Sequence, residues 1–337
     1  MDYKAAHLLS LYLLSFVIAR DFKPEIHLYL KINLRIEKAH TEMNIEKFQN
    51  IGPSKIEMAF QRMGDHSRPM VVLIMGAGAQ MISWPDEFCE RMISKGMQIL
   101  RFDNRDTGLS SHLHDAPEPD FIGAMKGDFS SASYSLSDLA ADVIGLIDAL
   151  ELDKVHLVGA SMGGMIAQTI AIEYPSRVKS LTSIMSTTGS PLVGQPDYPA
   201  LSNLGEPPYT DKQAYVDWRV RSLKAIGSPV YEFDETSSRK IAAISWDRDH
   251  DANSIIRQSI AVLKSGDRTS KLRELNVPAL VIHGDADKMI HVSGGVATAS
   301  AIPGAKLKVF EGMGHGFPKE LWSEMIDLFV EHVNLSE

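Results

Sequence analysis

A chain of 337 residues, 44% of them hydrophobic, has room for one large α/β domain or two smaller ones around a buried core. Its formal net charge of -9 and the lack of any Lys/Arg block argue against nucleic acid or an anionic membrane surface as partner, because both demand a concentrated basic face. The single cysteine, Cys89, excludes an internal disulfide and a cysteine-based zinc cage; within residues 84–93 it falls on the inner face of an amphipathic helix, a packing position.

In chain order, residues 5–19 form an apolar run after Lys4 that is too short for a membrane span, and Val17 and Ala19 loosely fit a signal-cleavage site. Segment 1–42 therefore reads either as an export signal or as an upstream extension, since Met43 opens the first stretch that fits a fold. Neither reading touches the chemistry. The expected location is cytoplasmic, or exported if residues 1–19 act as a signal, with no stable membrane insertion.

From Met43 the chain alternates. Strands are predicted at 45–49 and 55–62, joined by Gly-Pro-Ser, then a buried strand at 70–75 (MVVLIM), a helix at 84–95 and a strand at 97–103. A helix follows at 134–150, with Ser135 and Asp138 spaced as a capping box, then a strand at 154–158, a helix at 165–174 that stops before Pro175, and a strand at 178–186. Between 188 and 276 the strand signal disappears. Prolines 191, 196, 199, 207 and 208 precede helices near 211–225, 236–245 and 252–265, which carry Tyr209, Tyr215, Trp218, Tyr231, Phe233 and Trp246. Alternation resumes with a strand at 279–283, a helix near 292–301, a strand at 306–310 and a last helix from about Lys319. The pattern predicts an α/β fold: a mainly parallel sheet covered by helices on both faces, with core segments 43–187 and 277–337 and a helical lid, 188–276, over the strand ends.

The chemistry centres on Gly159-Ala-Ser161-Met-Gly163. G-x-S-x-G alone is weak, but here it stands between a buried strand and a helix, the sharp turn that a serine nucleophile requires; the competing reading is an idle hydroxyl at a helix start. A serine needs a base, and the base needs an orienting acid. His315, in Gly-Met-Gly-His-Gly after a late strand, is the expected base. Asp287, in His-Gly-Asp-Ala-Asp, is preferred over Asp285 as the acid, because two residues of turn past Gly284 are usually needed to face the histidine. The oxyanion of acyl transfer wants two backbone N–H donors. Met162 should supply one; Ala77, ahead of Gly78, should supply the other from the loop Gly76-Ala-Gly78.

Other candidates read as structural. His156 is a satisfied core or neighbouring residue; His112 and His114 are a solvated loop rather than a metal site; Asp247, Asp249 and Asp251 imitate a calcium loop but lack its glycine and glutamate, so they cap a lid helix. No metal and no cofactor is expected. Met75, Met81, Met162, Met165, Met185 and Met313 cluster near the expected mouth of the site. Half of them should be core and the rest a soft apolar wall for a bulky substrate.

Residues 45–187 and 277–335 resemble the α/β-hydrolase superfamily in elbow, oxyanion loop, insertion point and Ser, Asp, His order. The stretches MGAGAQMISWPDEF and RFDNRDTGLSS are similar to the branch containing aclacinomycin methylesterases and, closer still, serine-dependent macrolide esterases. The chain departs from many such relatives at Met75, where histidine often precedes the oxyanion glycine, which leaves the fastening of that loop open. The resemblance implies a serine-dependent carboxylic ester hydrolase acting on a small-molecule ester or lactone, with the macrolactone of a macrolide as a candidate. Gly76, Gly78, Met81, Trp84, Met165, Trp218 and Met313 are the expected substrate contacts. Alternatives are an anthracycline-type methylesterase, a carbon-carbon hydrolase or perhydrolase with the same triad, and a non-catalytic ligand-binding protein on the same scaffold. Dehalogenases and epoxide hydrolases are disfavoured because the elbow carries serine. Oligomeric state is undetermined by the sequence.

Overall fold

The computed structural model describes residues 45–202 and 204–337. The expectations for segment 1–42 lie outside the described residues. Eight strands form one sheet: β1 (Glu46–Ile51), β2 (Ile56–Met63), β3 (Met70–Ile74), β4 (Gln98–Phe102), β5 (Val155–Ala160), β6 (Val178–Ile184), β7 (Ala279–Gly284) and β8 (Lys306–Phe310). Their order across the sheet is β1-β2-β4-β3-β5-β6-β7-β8. The β1–β2 and β2–β4 pairs are antiparallel and all later pairs parallel, so the mainly parallel sheet expected from the alternating pattern is present.

Strand β3 (MVVLI) is buried and apolar on both faces, which is why it reads as a continuous apolar run. In β3, Met70, Val72 and Ile74 point into one core, Val71 and Leu73 into the other. Helices α3 (Leu136–Ala149) and α4 (Met162–Glu173) cover the first face through Leu139, Val143, Ile166 and Ile170. Helices α1 (Asp86–Ser94) and α11 (Trp322–Asn334) cover the second through Phe88, Met92, Met325 and Phe329, each pair one turn apart. At the start of α3 the Ser135 side chain accepts from the Asp138 N–H and Asp138 accepts from the Ser135 N–H, the capping box predicted from their spacing.

Between β6 and β7 the chain forms α5 (Tyr198–Ser202), α6 (Lys212–Ile226), α7 (Glu235–Arg248), α8 (Ala252–Ser265) and α9 (Thr269–Leu272); α2 (Phe121–Met125) and α10 (Ser293–Ala301) complete the α-helices among the described residues. The short helices α2, α5 and α9 were not predicted, being too brief to show a 3.6-residue period. Helix α4 starts at Met162, three residues before the predicted start, because Gly163 and Gly164 are helical. Among the described residues, no helix is long and apolar enough to cross a membrane.

Candidate active site

The sharp turn after β5 is visible in the backbone. Ser161 has φ 56° and ψ -122°, a left-handed conformation that costs a side-chain-bearing residue on the order of 1–3 kcal/mol. Neighbours hold it there: the Ser161 N–H donates to Ile184 O at 2.9 Å, and its carbonyl accepts from Gly164 N–H at 2.9 Å and the Ser186 hydroxyl at 2.8 Å. The flanking glycines are required by close approach. A Cβ on Gly163 would stand 2.0 Å from Ile74 O, and one on Gly159 2.1 Å from Gly163 O.

The loop after β3 lies against this turn, since a Cβ on Gly76 would come within 2.9 Å of Ser161 Cβ. Its fastening, left open by Met75, is now explicit: Asn104 Nδ2 donates to Met75 O at 3.0 Å. The Gly78 N–H, the second choice for a donor from this loop, is already committed to Gln258 Oε1 at 2.8 Å. The Met162 N–H stands at the first position of α4, where helix N–H groups lack intrahelical partners.

Asp287 and His315 meet. His315 Nδ1 lies 2.7 Å from Asp287 Oδ2, with the carboxylate side chain fully buried and the imidazole slightly exposed. The other oxygen, Oδ1, accepts from the Met289 and Ile290 N–H groups at 2.8 and 2.9 Å. His283 Nε2 sits 3.4 Å from Oδ2 and 2.8 Å from Ile290 O. Burial alone would raise the Asp287 carboxyl, but the charge on His315, the hydrogen bonds from His283 and His315 and the Ile290 N–H outweigh it and hold the group at about 2. Asp285 is occupied elsewhere, accepting from the Gly312 N–H at 2.6 Å. The histidine loop is propped from the insertion: the His315 N–H donates to Ile226 O at 2.8 Å and the Gly314 N–H to the Ser228 hydroxyl at 2.8 Å. Gly76, Ser161, Asp287 and His315 thus follow the carboxyl ends of β3, β5, β7 and β8, where open α/β sheets place their ligands.

Several of the expected substrate contacts are buried. Met81, Trp84 and Met313 are each 0% exposed. Trp84 packs 4.9 Å from the Phe317 ring and 6.0 Å from Phe88, with its indole N–H buried and without a partner among the described residues. Side chains that no water-sized sphere reaches cannot form a pocket wall; the apolar periodicity that places residues in a core is the same one that suggested a lining. Met165 is also buried, while Gly76 abuts Ser161. Trp218 is half-buried in the insertion, its indole N–H donating to Leu204 O at 3.0 Å within a row of rings that includes Tyr209, Tyr215 and Trp246.

Other side chains behave as read, except His112 and two of the three aspartates expected to cap a lid helix: Asp247 lies inside α7 and Asp249 follows its last residue. His156 is satisfied in the core by the Ser180 hydroxyl at 2.8 Å and Glu337 at 2.7 Å. Asp251 caps α8, and Cys89 is buried, its thiol pushed up to about 11 by burial. His112, expected in solvent, is instead tucked between the Ser254 hydroxyl at 3.2 Å and Gly108 O at 3.1 Å. Among the described residues no group of three His, Cys, Asp or Glu side chains is placed to hold a metal ion. Three residues escaped the sequence reading: Asn104, Gln258 and His283. Asn104 stands in the quoted RFDNRDTG stretch but had no partner in view; Gln258 and His283 act through contacts that depend on the folded chain.

This architecture and site belong to a known class. Residues 69–320 match the family model described as the alpha/beta hydrolase fold, and the chain belongs to that family. It is 26% identical over 276 residues to a rhodomycin D methylesterase of Streptomyces peucetius, covering 76% of this chain and 88% of that protein. A 2-hydroxy-6-oxononadienedioate/2-hydroxy-6-oxononatrienedioate hydrolase of Dechloromonas aromatica is 29% identical, with 82% and 90% covered. Among solved structures, the enol-lactonase of Burkholderia xenovorans superposes with a TM-score of 0.61 at 20% identity, covering 84% of this chain and 98% of that one, a likeness of fold.

Proposed function

We propose that the protein is a serine-dependent carboxylic ester hydrolase working through an acyl-enzyme. The observation that carries this reading is the 2.7 Å pair of Asp287 and His315 at the sheet edge that also presents Ser161 on its strained turn. Ionised Asp287 accepts the Nδ1 proton of His315, which leaves Nε2 free to act as base. Ser161 Oγ adds to the ester carbonyl and its proton passes to Nε2; the resulting oxyanion takes hydrogen bonds from the Ala77 and Met162 N–H groups. Collapse expels the alcohol, which receives the proton from His315. Water, deprotonated by the same nitrogen, then adds to the acyl-enzyme and releases the acid and Ser161. The reaction requires Ser161 Oγ within about 3.2 Å of Nε2 in the reacting complex.

The inserted helices serve as a lid, and the half-buried row of Tyr209, Tyr215, Trp218 and Trp246 suits a bulky apolar ester or lactone such as a macrolactone. The similarity to a rhodomycin D methylesterase favours a second reading, removal of a methyl group from a large aromatic methyl ester. Either substrate is a small molecule, and the reaction is assigned to the cytoplasm. Turnover in heavy-oxygen water separates the two. A macrolactone gains one labelled water without losing a fragment, whereas a methyl ester releases methanol and leaves a labelled acid. Carbon-carbon cleavage of a vinylogous diketone, with neither ester consumed, would overturn both. If neither substrate type is altered and Ser161 is not acylated by p-nitrophenyl butyrate, the ligand-binding alternative stands instead.

A further inference from the structure

Two observations meet at the loop after β3. Gln258, on α8 of the insertion, is 0% exposed and uses its whole amide: Oε1 accepts from the Gly78 N–H, while Nε2 donates to Arg105 O and to the Thr107 hydroxyl, all at 2.8 Å. The amide has one allowed orientation, because a flip would set Nε2 against the Gly78 N–H and Oε1 against the Arg105 carbonyl. One turn earlier, Ile255 fills the space where a Gly78 Cβ would stand, its Cδ1 at 2.7 Å, and Gly78 keeps a left-handed φ of 64°. On the far side of the loop, Asn104 holds Met75 O. Ala77 therefore hangs between two anchors, one from the loop after β4 and one from the insertion.

The insertion is itself held firmly at this point. Arg257, beside Gln258, makes a two-pronged pair with Asp106 at 2.8 and 3.0 Å, and Arg248 pairs with Asp103 at 2.6 Å; all four side chains are buried. The stretch Asp103-Asn-Arg-Asp-Thr107 thus receives α7 and α8 with four of its residues, Asp103, Arg105, Asp106 and Thr107, and fastens the Met75 carbonyl with the fifth, Asn104.

We propose that Gln258 is a positioning residue of the oxyanion hole: by fixing the Gly78 N–H it aims the Ala77 N–H, so that α8 is a structural part of the catalytic apparatus rather than a hinged cover. This rests on the reading of Ser161 as nucleophile and Ala77 as oxyanion donor. Catalysis by such a hole depends on its donors being in place before charge develops. A Gly78 loop freed from α8 would have to be ordered at each turnover, and only the transition state would register the cost.

The test uses Gln258→Met, of similar length but without hydrogen bonds, and Gln258→Asn, too short to reach Gly78, with p-nitrophenyl butyrate as substrate and phenylboronic acid as an adduct that places an oxygen in the hole. In either folded variant kcat should fall about 10- to 100-fold, short of the ~10²–10³ seen when a donor is lost outright; boronate affinity should weaken in parallel and KM stay within about twofold. A folded variant with unchanged kcat overturns the proposal, as does a lower kcat with unchanged boronate affinity, which marks a merely structural role. Hydrogen exchange on the unaltered protein applies even if neither variant folds: the Gly78 amide should exchange as slowly as the amides of α8, and rapid exchange refutes the assignment. Ser161→Ala keeps the two levels apart, since activity surviving that change defeats the nucleophile assignment and not only the role of Gln258.

Discussion

The Asp287 carboxylate is buried, and its oxygens share two backbone N–H groups and two histidines. Its carboxyl is held at about 2, below the ordinary carboxylate value, so it contributes stability that is fully present above about pH 4 and is lost as pH falls through 2. The shift corresponds to about 2 kcal/mol. Asp287→Asn should therefore unfold more easily than the unaltered protein at pH 5, and the gap should narrow by about that amount as the pH approaches 2, as followed by urea melts. In activity, Asp287→Asn should cost about 10³- to 10⁴-fold in kcat, because an amide no longer fixes the histidine tautomer. Asp285→Asn, which touches only a backbone N–H, should cost far less, and a reversed order would move the acid to Asp285. Ser161→Ala and His315→Ala should each lose on the order of 10⁴- to 10⁶-fold, and the double change no more than either alone, because the two act as one unit. Near-normal turnover in either single variant would remove the serine mechanism.

The long elements were readable because burial imposes period: apolar runs for β3 and β5, turn-spaced apolar residues for α1 and α11, and a capping box at Ser135. The serine turn and its histidine and aspartate were readable because glycine is forced where a Cβ would strike backbone, as at Gly163, and at Gly284, where one would lie 2.0 Å from Met313 O. What could not be read is what the folded chain brings from afar. Gln258 meets a glycine 180 positions away, and neither end carries a local signature of the other. The burial of Met81, Trp84 and Met313 was hidden for a related reason, since apolar character near a motif does not say which face it is on. The buried pairs that seat α7 and α8 give a prediction for these helices. Among the described residues, Arg257→Met leaves Asp106 with only the Tyr134 hydroxyl and the Leu113 N–H, both at 2.8 Å, to hold its carboxylate, and should destabilise the fold by about 3–5 kcal/mol, whereas Arg257→Met with Asp106→Asn, which keeps both acceptor contacts within reach and tolerates the left-handed φ of 60° there, should regain much of that loss. Chemical unfolding of both variants decides it; equal losses would mean that the pair itself, and not an orphaned charge, sets the stability.

For the chain as a whole, the question is what the sheet needs from residues 1–42. The outermost strand β1 begins at Glu46, pairs antiparallel with β2 from Glu46 opposite Phe60 to Ile51 opposite Ile56, and is largely exposed. Helix α3 backs the turn that follows it, since a Cβ on Gly145 would lie 2.5 Å from the Gly52 N atom. The eight strands of the sheet, both cores and the four segments that carry Gly76, Ser161, Asp287 and His315 fall, among the described residues, within 46–337, a stretch that forms one compact unit by its own contacts. A protein starting at Met43 should therefore fold and hydrolyse p-nitrophenyl butyrate with kcat and KM within about twofold of the full chain, and its melting temperature should match. Amide exchange at the β1 positions bonded to β2 and at the elbow should likewise match between the two proteins. A truncated protein that folds yet no longer turns over would place part of the active site in the removed segment and overturn this division of the chain.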